Sequence, residues 1–462
     1  MKADLNTTLG ETASRCGGRI LAGDPHLVIR TVTSDSRELG EASLFVPLIG
    51  DRFDGHDFIS ALAGESKIAA FLTMRENHAG IARSTGTAAI LCADTLSALG
   101  SIAAGHRDRI DPVIIGVTGT NGKTTTKELI HSMAALRHHA LKNVKNYNNE
   151  IGVPFTLLGL AEFNDMAVIE MGMNHSGELD RLSRIVRPDM AVITNVGEGH
   201  LEFLGSVENV AYAKAEIMHG MEPGSLVFIN RDTDCFGLLA DQAAKAGLRV
   251  RTFGLGVDAD LFPSSYRLSR ESVELEISGK ALKAPLYGIH NLYNVLAAVS
   301  VGVEIGLDMR DIQSALDRFQ NVGGRSQIVD RGYIVIDDTY NSNPLSTRYA
   351  LRSAAEVFPG SRKIAVLSDM KELGRHAESF HEECGREAAH RGMSLLYLWG
   401  EMAAHYRTGA VRAGMQSDSV VVFGSKSDLA QSLKQELREK DVVLVKGSRS
   451  MKMEEIVKEI TA

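Results

Sequence analysis

Cysteine is scarce in this chain, and the few cysteines are far apart. They are Cys16, Cys92, Cys235 and Cys384. No two of them have the short spacing of a zinc site or of a redox-active pair. The sequence therefore predicts reduced thiols whose role is packing, and it gives no basis for a cysteine metal site.

Long apolar runs and an excess of positive charge are also missing. No run approaches the roughly 20 residues that span a bilayer, and the polar start lacks the apolar core of a signal peptide. We therefore expect a cytoplasmic protein with no membrane insertion. The formal net charge of −8 argues against nonspecific nucleic-acid binding, because phosphate contacts dominate that affinity. Any polyphosphate must then bind at a local site.

The chain has the length and composition of a multidomain globular protein. It has 462 residues, of which 44% are apolar and 23% charged, and this length is too great for one ordinary core. The pattern of short strands and helices predicts three α/β domains, over residues 1–108, 109–322 and 323–462. Glycines in the stretch Val322-Gly323-Gly324 predict a hinge before the third domain.

Each predicted domain has its own arrangement. The first is a small mixed α/β unit. The second begins with a buried strand, a glycine-rich loop and a helix, as in a parallel-sheet ATPase, and ends in an antiparallel extension near residues 266–286. The third alternates five strands with helices, which predicts a doubly wound, Rossmann-like sheet.

The glycine-rich loop after the first strand of the second domain predicts a phosphate site. Backbone N–H groups at the start of a helix bind a phosphate chain, a lysine there reaches the outer phosphates, and a threonine hydroxyl binds magnesium. The common spacing would place a glycine at Val117, so the loop is a shorter form. Its residues are Gly119, Thr120, Asn121, Gly122, Lys123, Thr124 and Thr125.

Three residues farther along are candidate metal ligands. Glu170 closes a buried strand, where a carboxylate can hold the magnesium of a nucleotide or simply face solvent. His200 lies in a glycine-bearing loop after the next strand, and its position is compatible with a metal or a phosphate role. Lys214 lies on a predicted helix, where a lysine is usually solvated.

Polar clusters at helix starts and strand ends are further candidates. Asn291 and Asn294 open a helix, where they could cap it or hydrogen-bond a nucleobase. In the third domain, polar residues follow three strands, at 337–344, 369–374 and 446–449. Because ligands of open α/β sheets bind beyond the carboxyl ends of strands, these ends predict a second binding surface facing the ATP site.

Several of these stretches together resemble the Mur ligases, the ATP-dependent amino-acid-adding enzymes of peptidoglycan synthesis. The loop Gly-Thr-Asn-Gly-Lys-Thr-Thr is shared with folylpolyglutamate synthases and identifies only the superfamily. More specific are residues 146–154 (Asn-Tyr-Asn-Asn-Glu-Ile-Gly-Val-Pro), 170–178, 195–205, 337–344 and 369–374. The resemblance covers essentially the whole chain.

The resemblance implies a role for each domain and for individual residues. The domains would bind a uridine nucleotide, ATP and an incoming dipeptide, in that order. Lys123 would contact the γ-phosphate, and two magnesium ions would be held by Thr124, Glu170, His200 and a carbamylated Lys214. Asn291 and Asn294 would lie near adenine, Arg325 near the phosphates and Asp338 near the ribose. Ser36 and Arg37 would contribute to the uridine-nucleotide site, and Asn341, Asn343 and Lys446 would lie near the dipeptide.

The resemblance also implies a reaction, in which Lys123, His200, Lys214 and Arg325 would be the catalytic residues. D-Alanyl-D-alanine would be joined to the carboxylate of a UDP-N-acetylmuramoyl-tripeptide through an acyl phosphate, at the expense of ATP. Absence of the Asp-Asn-Pro-Arg signature of the tripeptide-forming ligase favours this step. A monomer is expected. The alternatives are a folylpolyglutamate-type ligase, another amino-acid-adding Mur ligase, or a nucleotide-dependent switch.

Overall fold

The computed structural model describes residues 1–50, 52–65, 67–321 and 323–462. Val322, which ends the predicted middle domain and begins the predicted hinge, lies outside the described residues. Within them, four sheets account for the strands, and no helix is both long and apolar enough to cross a bilayer. The predicted three-part α/β architecture is confirmed.

The N-terminal part is built on a six-stranded mixed sheet in the order β1-β3-β4-β5-β6-β2, in which the two edge strands are antiparallel to their neighbours. Its cores combine sheet residues such as Phe45 and Phe71 with helix residues such as Leu99. The predicted boundary at residue 108 falls in the last turn of α4. The elements are β1 (Lys2–Thr8), α1 (Leu9–Arg15), β2 (Arg19–Ala22), β3 (Val28–Thr33), β4 (Ser43–Phe45), α2 (Ile59–Gly64), β5 (Ala70–Thr73), α3 (His78–Thr85), β6 (Ala88–Leu91) and α4 (Thr95–Ile110).

The first ten elements of the middle part form most of its parallel sheet. Strand β9 is buried along its whole length, and β7 is buried after its first residue, Val113, as expected for mostly apolar parallel strands between two helical layers. The elements are β7 (Val113–Thr118), α5 (Lys123–Ala134), β8 (Ala140–Lys142), α6 (Gly152–Leu158), β9 (Met166–Glu170), α7 (Glu178–Val186), β10 (Met190–Ile193), α8 (Leu201–Leu204), α9 (Val207–Ala215) and β11 (Leu226–Asn230).

The remaining elements of the middle part complete the parallel sheet and add an antiparallel one. The parallel sheet has the order β12-β11-β10-β7-β9-β8, and β13, β14 and β15 form the antiparallel extension. These elements are α10 (Phe236–Lys245), β12 (Arg249–Phe253), β13 (Ser265–Leu268), β14 (Val273–Ile277), β15 (Lys280–Ala284), α11 (Ile289–Glu304) and α12 (Met309–Asp317).

The C-terminal part is a six-stranded sheet in the order β16-β17-β21-β18-β19-β20, parallel except for β16. Its last strand inserts between β17 and β18, so the polar loops after these three strands meet at one edge. The elements are β16 (Gln327–Asp330), β17 (Ile334–Asp338), α13 (Pro344–Val357), β18 (Lys363–Ser368), α14 (Ala377–His390), β19 (Leu395–Trp399), α15 (Ala403–Arg412), β20 (Val420–Phe423), α16 (Lys426–Glu436), β21 (Val442–Lys446) and α17 (Glu454–Thr461).

Candidate active site

The strand order of the middle sheet creates a crevice beside β7. From β7 the chain runs to β8 and β9 on one side of the sheet, and then returns to β10 on the other side. The loops after β7 and β10 therefore diverge around a switch point, which is where open α/β sheets bind ligands. The loop after β7 is the predicted phosphate loop.

Two glycines let the phosphate loop turn tightly against its neighbours. Gly122 has φ +82°, and a Cβ atom there would lie 2.1 Å from Asn294 Oδ1 on α11. Gly119 has φ +143°, and a Cβ would lie 2.0 Å from Thr194 Oγ1. Both positions therefore require glycine, because of the backbone angle and because of the space.

Hydrogen bonds join this loop to the loop after β10. The backbone N–H groups of Thr120 and Asn121 donate to the carbonyl and the side-chain oxygen of Asn195, each at 2.9 Å. Lys123 Nζ donates to the carbonyls of Gly119 (2.8 Å) and Thr120 (3.1 Å), so the ammonium lies over its own loop. Burial lowers the pKa of Lys123.

Glu170, a predicted metal ligand, lies at the end of β9 among polar partners. Only 2% exposed, it accepts hydrogen bonds from Thr124 Oγ1 (2.8 Å) and from Asn148 Nδ2 (2.7 Å). The buried ammonium of Lys127 lies 3.9 Å from Glu170 Oε2. A hydroxyl and a carboxylate in contact at the start of the predicted phosphate-binding helix are a donor pair that fits magnesium.

The other two predicted metal ligands lie on the β10 side. His200 Nδ1 is 2.6 Å from Glu372 Oε2 of the C-terminal part, and burial lowers the pKa of this histidine, which favours a neutral imidazole able to ligate a metal. Lys214 is fully buried on α9, and its Nζ has no hydrogen-bond partner among the described residues. Among these residues no cluster of three His, Cys, Asp or Glu has metal-binding geometry.

Burial determines the protonation of Lys214. Transfer of an ammonium into an apolar interior without a partner is costly, so the neutral form is favoured. Desolvation, and secondarily the charge of Lys123, moves the pKa of Lys214 well below its ordinary value. The amine is therefore a candidate nucleophile and not a solvated helix lysine.

The C-terminal part supplies the opposite wall. Arg325 Nη2 donates to Thr124 Oγ1 at 3.0 Å, and its guanidinium lies 3.9 Å from the centre of the Tyr340 ring. Lys446 Nζ donates to Asp338 Oδ2 at 2.5 Å. Burial alone would raise the pKa of Asp338, but the charge of Lys446, helped by His290 and by hydrogen bonds, outweighs it and lowers this pKa.

A single cavity of about 600 Å³ joins the two walls. Most of the predicted site residues line it, but Gly119 and Lys214 are not among the lining residues. Ser36 and Arg37 are not brought to it, because they follow β3 in the N-terminal part, where Arg37 pairs with Asp35. The predicted site residues that line the cavity are Thr120, Asn121, Gly122, Lys123, Thr124, Thr125, Glu170, His200, Asn291, Asn294, Arg325, Asp338, Asn341, Asn343 and Lys446.

The predicted adenine contacts are partly engaged with the protein itself. Asn294 Nδ2 donates to Asn291 Oδ1 at 2.9 Å, and Asn291 Nδ2 donates to the Tyr287 carbonyl at 2.8 Å. Thr126 Oγ1 donates to Asn294 Oδ1 at 3.3 Å, which links α11 to the helix of the phosphate loop. The two asparagines thus fix the wall next to Gly122.

Other cavity residues have no individual role in the sequence-based prediction, although several lie in stretches that it named. Asn148 lies in the stretch 146–154, which follows a short strand. The high density of asparagine in this stretch could have indicated a ligand site. Tyr340, Lys371, Glu372 and Arg449 belong to the polar strand ends that predicted a second binding surface, whereas Asn230, His290, Tyr293 and Tyr349 lie outside the stretches named for it. Besides Asn148, the cavity residues without an individually predicted role include Asn146, Asn149, Asn230, His290, Tyr293, Tyr340, Tyr349, Lys371, Glu372 and Arg449.

Three Mur ligase family models match the chain. The model of the family's catalytic domain matches residues 28–107, the middle-domain model residues 117–302, and the model of the C-terminal glutamate ligase domain residues 324–449. The chain therefore belongs to the Mur ligase family, and it is an ATP-dependent ligase, as predicted.

Individual proteins of known name and structure are similar to this chain over nearly its whole length. The chain is 37% identical to the UDP-N-acetylmuramoyl-tripeptide–D-alanyl-D-alanine ligase of Bacillus subtilis strain 168, over 94% of this chain and 93% of that one. A crystal structure of MurF from Acinetobacter baumannii matches with a TM-score of 0.89 and 27% identity, over 99% of both chains. MurF from Thermotoga maritima in complex with ADP matches with a TM-score of 0.81 and 26% identity, over 93% and 96%.

Proposed function

We propose that this protein joins D-alanyl-D-alanine to the peptide carboxylate of a UDP-N-acetylmuramoyl-tripeptide, with conversion of ATP to ADP and phosphate. The product would be the pentapeptide precursor of peptidoglycan. The observation that carries the proposal is the similarity to the ligases of that name, which extends over 94% of the chain and includes the third domain. A folylpolyglutamate-type reaction would give no reason for a uridine-nucleotide domain.

The three predicted domains would divide the work. Residues 1–108 would bind the uridine nucleotide, with Ser36 and Arg37 as contacts, and residues 109–322 would bind ATP. Residues 323–462 would bind the dipeptide, with Asn341, Asn343 and Lys446 nearby. The cavity between the second and third parts supports this division, because the acyl acceptor, the nucleotide and the amine must meet at one place.

The first chemical step would activate the carboxylate, which is by itself a poor electrophile. One carboxylate oxygen attacks the γ-phosphorus of ATP, the bond to the β,γ-bridging oxygen breaks, and ADP leaves. Lys123 and Arg325 would stabilise the charge on the transferred phosphoryl group, and the N–H groups of 119–125 would orient the phosphates. Asn291 and Asn294 would hold adenine and Asp338 the ribose.

The second step would form the peptide bond. The neutral amine of the dipeptide attacks the acyl carbon, the bond to the phosphate oxygen breaks, and the amine loses a proton as phosphate leaves. Docking of the C-terminal wall over the cavity would exclude water from the acyl phosphate, which otherwise hydrolyses.

Thr124, Glu170, His200 and Lys214 would hold two magnesium ions, and the contact between Thr124 and Glu170 fits such a role. When bound, magnesium would neutralise phosphate charge during transfer. The neutral Lys214 amine would add to CO₂: its nitrogen bonds to carbon, a C=O π pair moves to oxygen, and a proton leaves. The neutral amine would thereby become an anionic carbamate that could ligate magnesium.

The test is release of ADP by purified protein given ATP, magnesium and the uridine-nucleotide tripeptide, with and without D-alanyl-D-alanine. ADP should form when both substrates are present, and the product mass should equal acceptor plus dipeptide minus water. Phosphate release that ignores both substrates would instead indicate a nucleotide switch. Turnover with folate and glutamate would favour the rival ligase.

Lys123→Ala tests the ATP site in the same assay. We expect kcat to fall by about a hundredfold or more, because one preorganised charge is removed from the transition state. Lys245→Ala, at an exposed position on α10, is the matched control and should retain activity. Full activity of Lys123→Ala would contradict the assignment of the phosphate loop.

A further inference from the structure

Helix α13 of the C-terminal part carries an arginine that reaches the middle part. Arg348 Nη2 donates to both carboxylate oxygens of Glu198, at 2.7 and 2.9 Å. The side chains are 32% and 15% exposed, so the pair is partly shielded from water. Glu198 lies in the loop after β10, two residues before His200. Neither partner belongs to the lining of the cavity.

Two other contacts join the start of α13 to the same region. Asn343 and Asn121 exchange hydrogen bonds through their side-chain amides, at 2.8 and 3.1 Å. Leu345 packs so closely on Gly197 that a Cβ atom there would lie 2.5 Å from Leu345 Cδ2. The first turns of α13 therefore dock on both loops that flank the crevice.

The loop that carries Glu198 is itself fastened to the phosphate loop. Thr120 N–H donates to the Asn195 carbonyl at 2.9 Å, and Gly197 N–H donates to Thr120 Oγ1 at 3.1 Å. A restraint on Glu198 thus restrains Thr120 on one side and His200 on the other. Docking of the C-terminal part on Glu198 therefore restrains the positions of both Thr120 and His200.

We propose that Arg348 is a positioning residue for ligation. By pairing with Glu198 when the C-terminal part docks, it fixes loop 195–205 against the phosphate loop, and thereby sets the positions of His200 and Thr120. The proposal rests on the proposed function. A charge-assisted bond from one guanidinium to both carboxylate oxygens is stronger than a neutral one, and its partial burial limits screening by water.

The experiment compares Arg348→Met with Arg352→Met in the ligation assay. Arg352 lies one turn later on the same helix, is 33% exposed, and pairs with Glu356 of that helix at 2.6 Å. Arg348→Met should lower kcat about tenfold with little change in KM for the dipeptide, as expected for a lost transition-state alignment. Arg352→Met should retain kcat, and both variants should unfold at similar temperatures.

A double-mutant cycle assigns the effect to the pair. Arg348→Met and Glu198→Gln should each lower kcat, and the double variant should be no worse than the poorer single variant. The charge reversal Arg348→Glu with Glu198→Arg should recover part of the loss. Independent, multiplying effects in the double variant, or wild-type kcat for Arg348→Met, would overturn the proposal.

Amide hydrogen exchange tests the same point without turnover. Arg348→Met should speed exchange in residues 195–205 and 119–125, whereas Arg352→Met should not. Unchanged exchange in both segments would also overturn the proposal. Failure of the wild-type protein to ligate would count against the proposed function alone, because the exchange measurement does not depend on the substrates.

Discussion

Among single residues, Lys214 shows how position changes chemistry. A lysine in a helical pattern is usually solvated, but Lys214 lies on the buried face of α9. Its amine has no hydrogen-bond partner there among the described residues. The cost of burying an unpaired charge moves the pKa of Lys214 well below its ordinary value, which favours a neutral amine. Only a neutral amine has the lone pair that attack on CO₂ requires.

Lys214→Met should stabilise the protein while abolishing ligation. The unfolded chain binds a proton at this lysine below about pH 10.4, whereas the folded chain does not until a much lower pH, so the lysine lowers stability at neutral pH. In CO₂-free buffer without magnesium, the variant's gain in unfolding temperature should be large at pH 7 and shrink toward pH 10. Calorimetry at several pH values measures it.

Lys363→Met is the matched control for that prediction. Lys363 is also buried, but its Nζ donates to the carbonyls of Phe358 (3.1 Å) and Ser361 (2.9 Å). Its replacement should therefore lower the unfolding temperature, because two hydrogen bonds are lost. A loss of stability in Lys214→Met at pH 7 would contradict the interpretation of Lys214 as an unpaired amine.

At the scale of elements, the connection from β7 to α5 determines the shape of the predicted ATP site. Its glycines and the Lys-Thr pair were predicted from sequence, because strand, loop and helix are contiguous and each has a local pattern. The contact of this loop with α11 was not predicted. Gly122 and Asn294 are far apart in sequence, and no local pattern in either segment indicates that they are in contact.

Gly122→Ala should weaken ATP binding by about tenfold or more, since a strained backbone angle costs on the order of 1–3 kcal/mol and the methyl group would displace Asn294. Titration calorimetry with ADP measures this. Gly237→Ala is the control, because this glycine of α10 has open space around its Cβ position and alanine favours a helix. Equal ADP affinity for Gly122→Ala and wild type would contradict the role of the loop.

For the whole molecule, the docking of the C-terminal part completes the site. Three strand ends that are distant in sequence meet because β21 inserts between β17 and β18. Arg325 and Glu372 then reach Thr124 and His200 of the middle part. The predicted second binding surface is thus one wall of a shared cavity.

We expect this docking to depend on ligands, because substrates must enter a cavity that later has to exclude water. Small-angle X-ray scattering should give a smaller radius of gyration with a nonhydrolysable ATP analogue and the uridine nucleotide than without them. Human serum albumin in the same ligands is a suitable control for scattering from the solution itself. An identical radius in both states would remove the support for domain closure.

The sequence by itself determined the family and the three-part α/β fold, and it predicted the phosphate loop. These are expressed in patterns of neighbouring residues, such as the short apolar strands and Gly-Thr-Asn-Gly-Lys-Thr, whose chemistry follows from local backbone geometry. The tertiary structure decided which side chains meet. Arg348 and Glu198 are 150 residues apart, and the isolation of Lys214 depends on everything packed around α9. Such contacts result from strand order and domain docking, which local patterns do not encode.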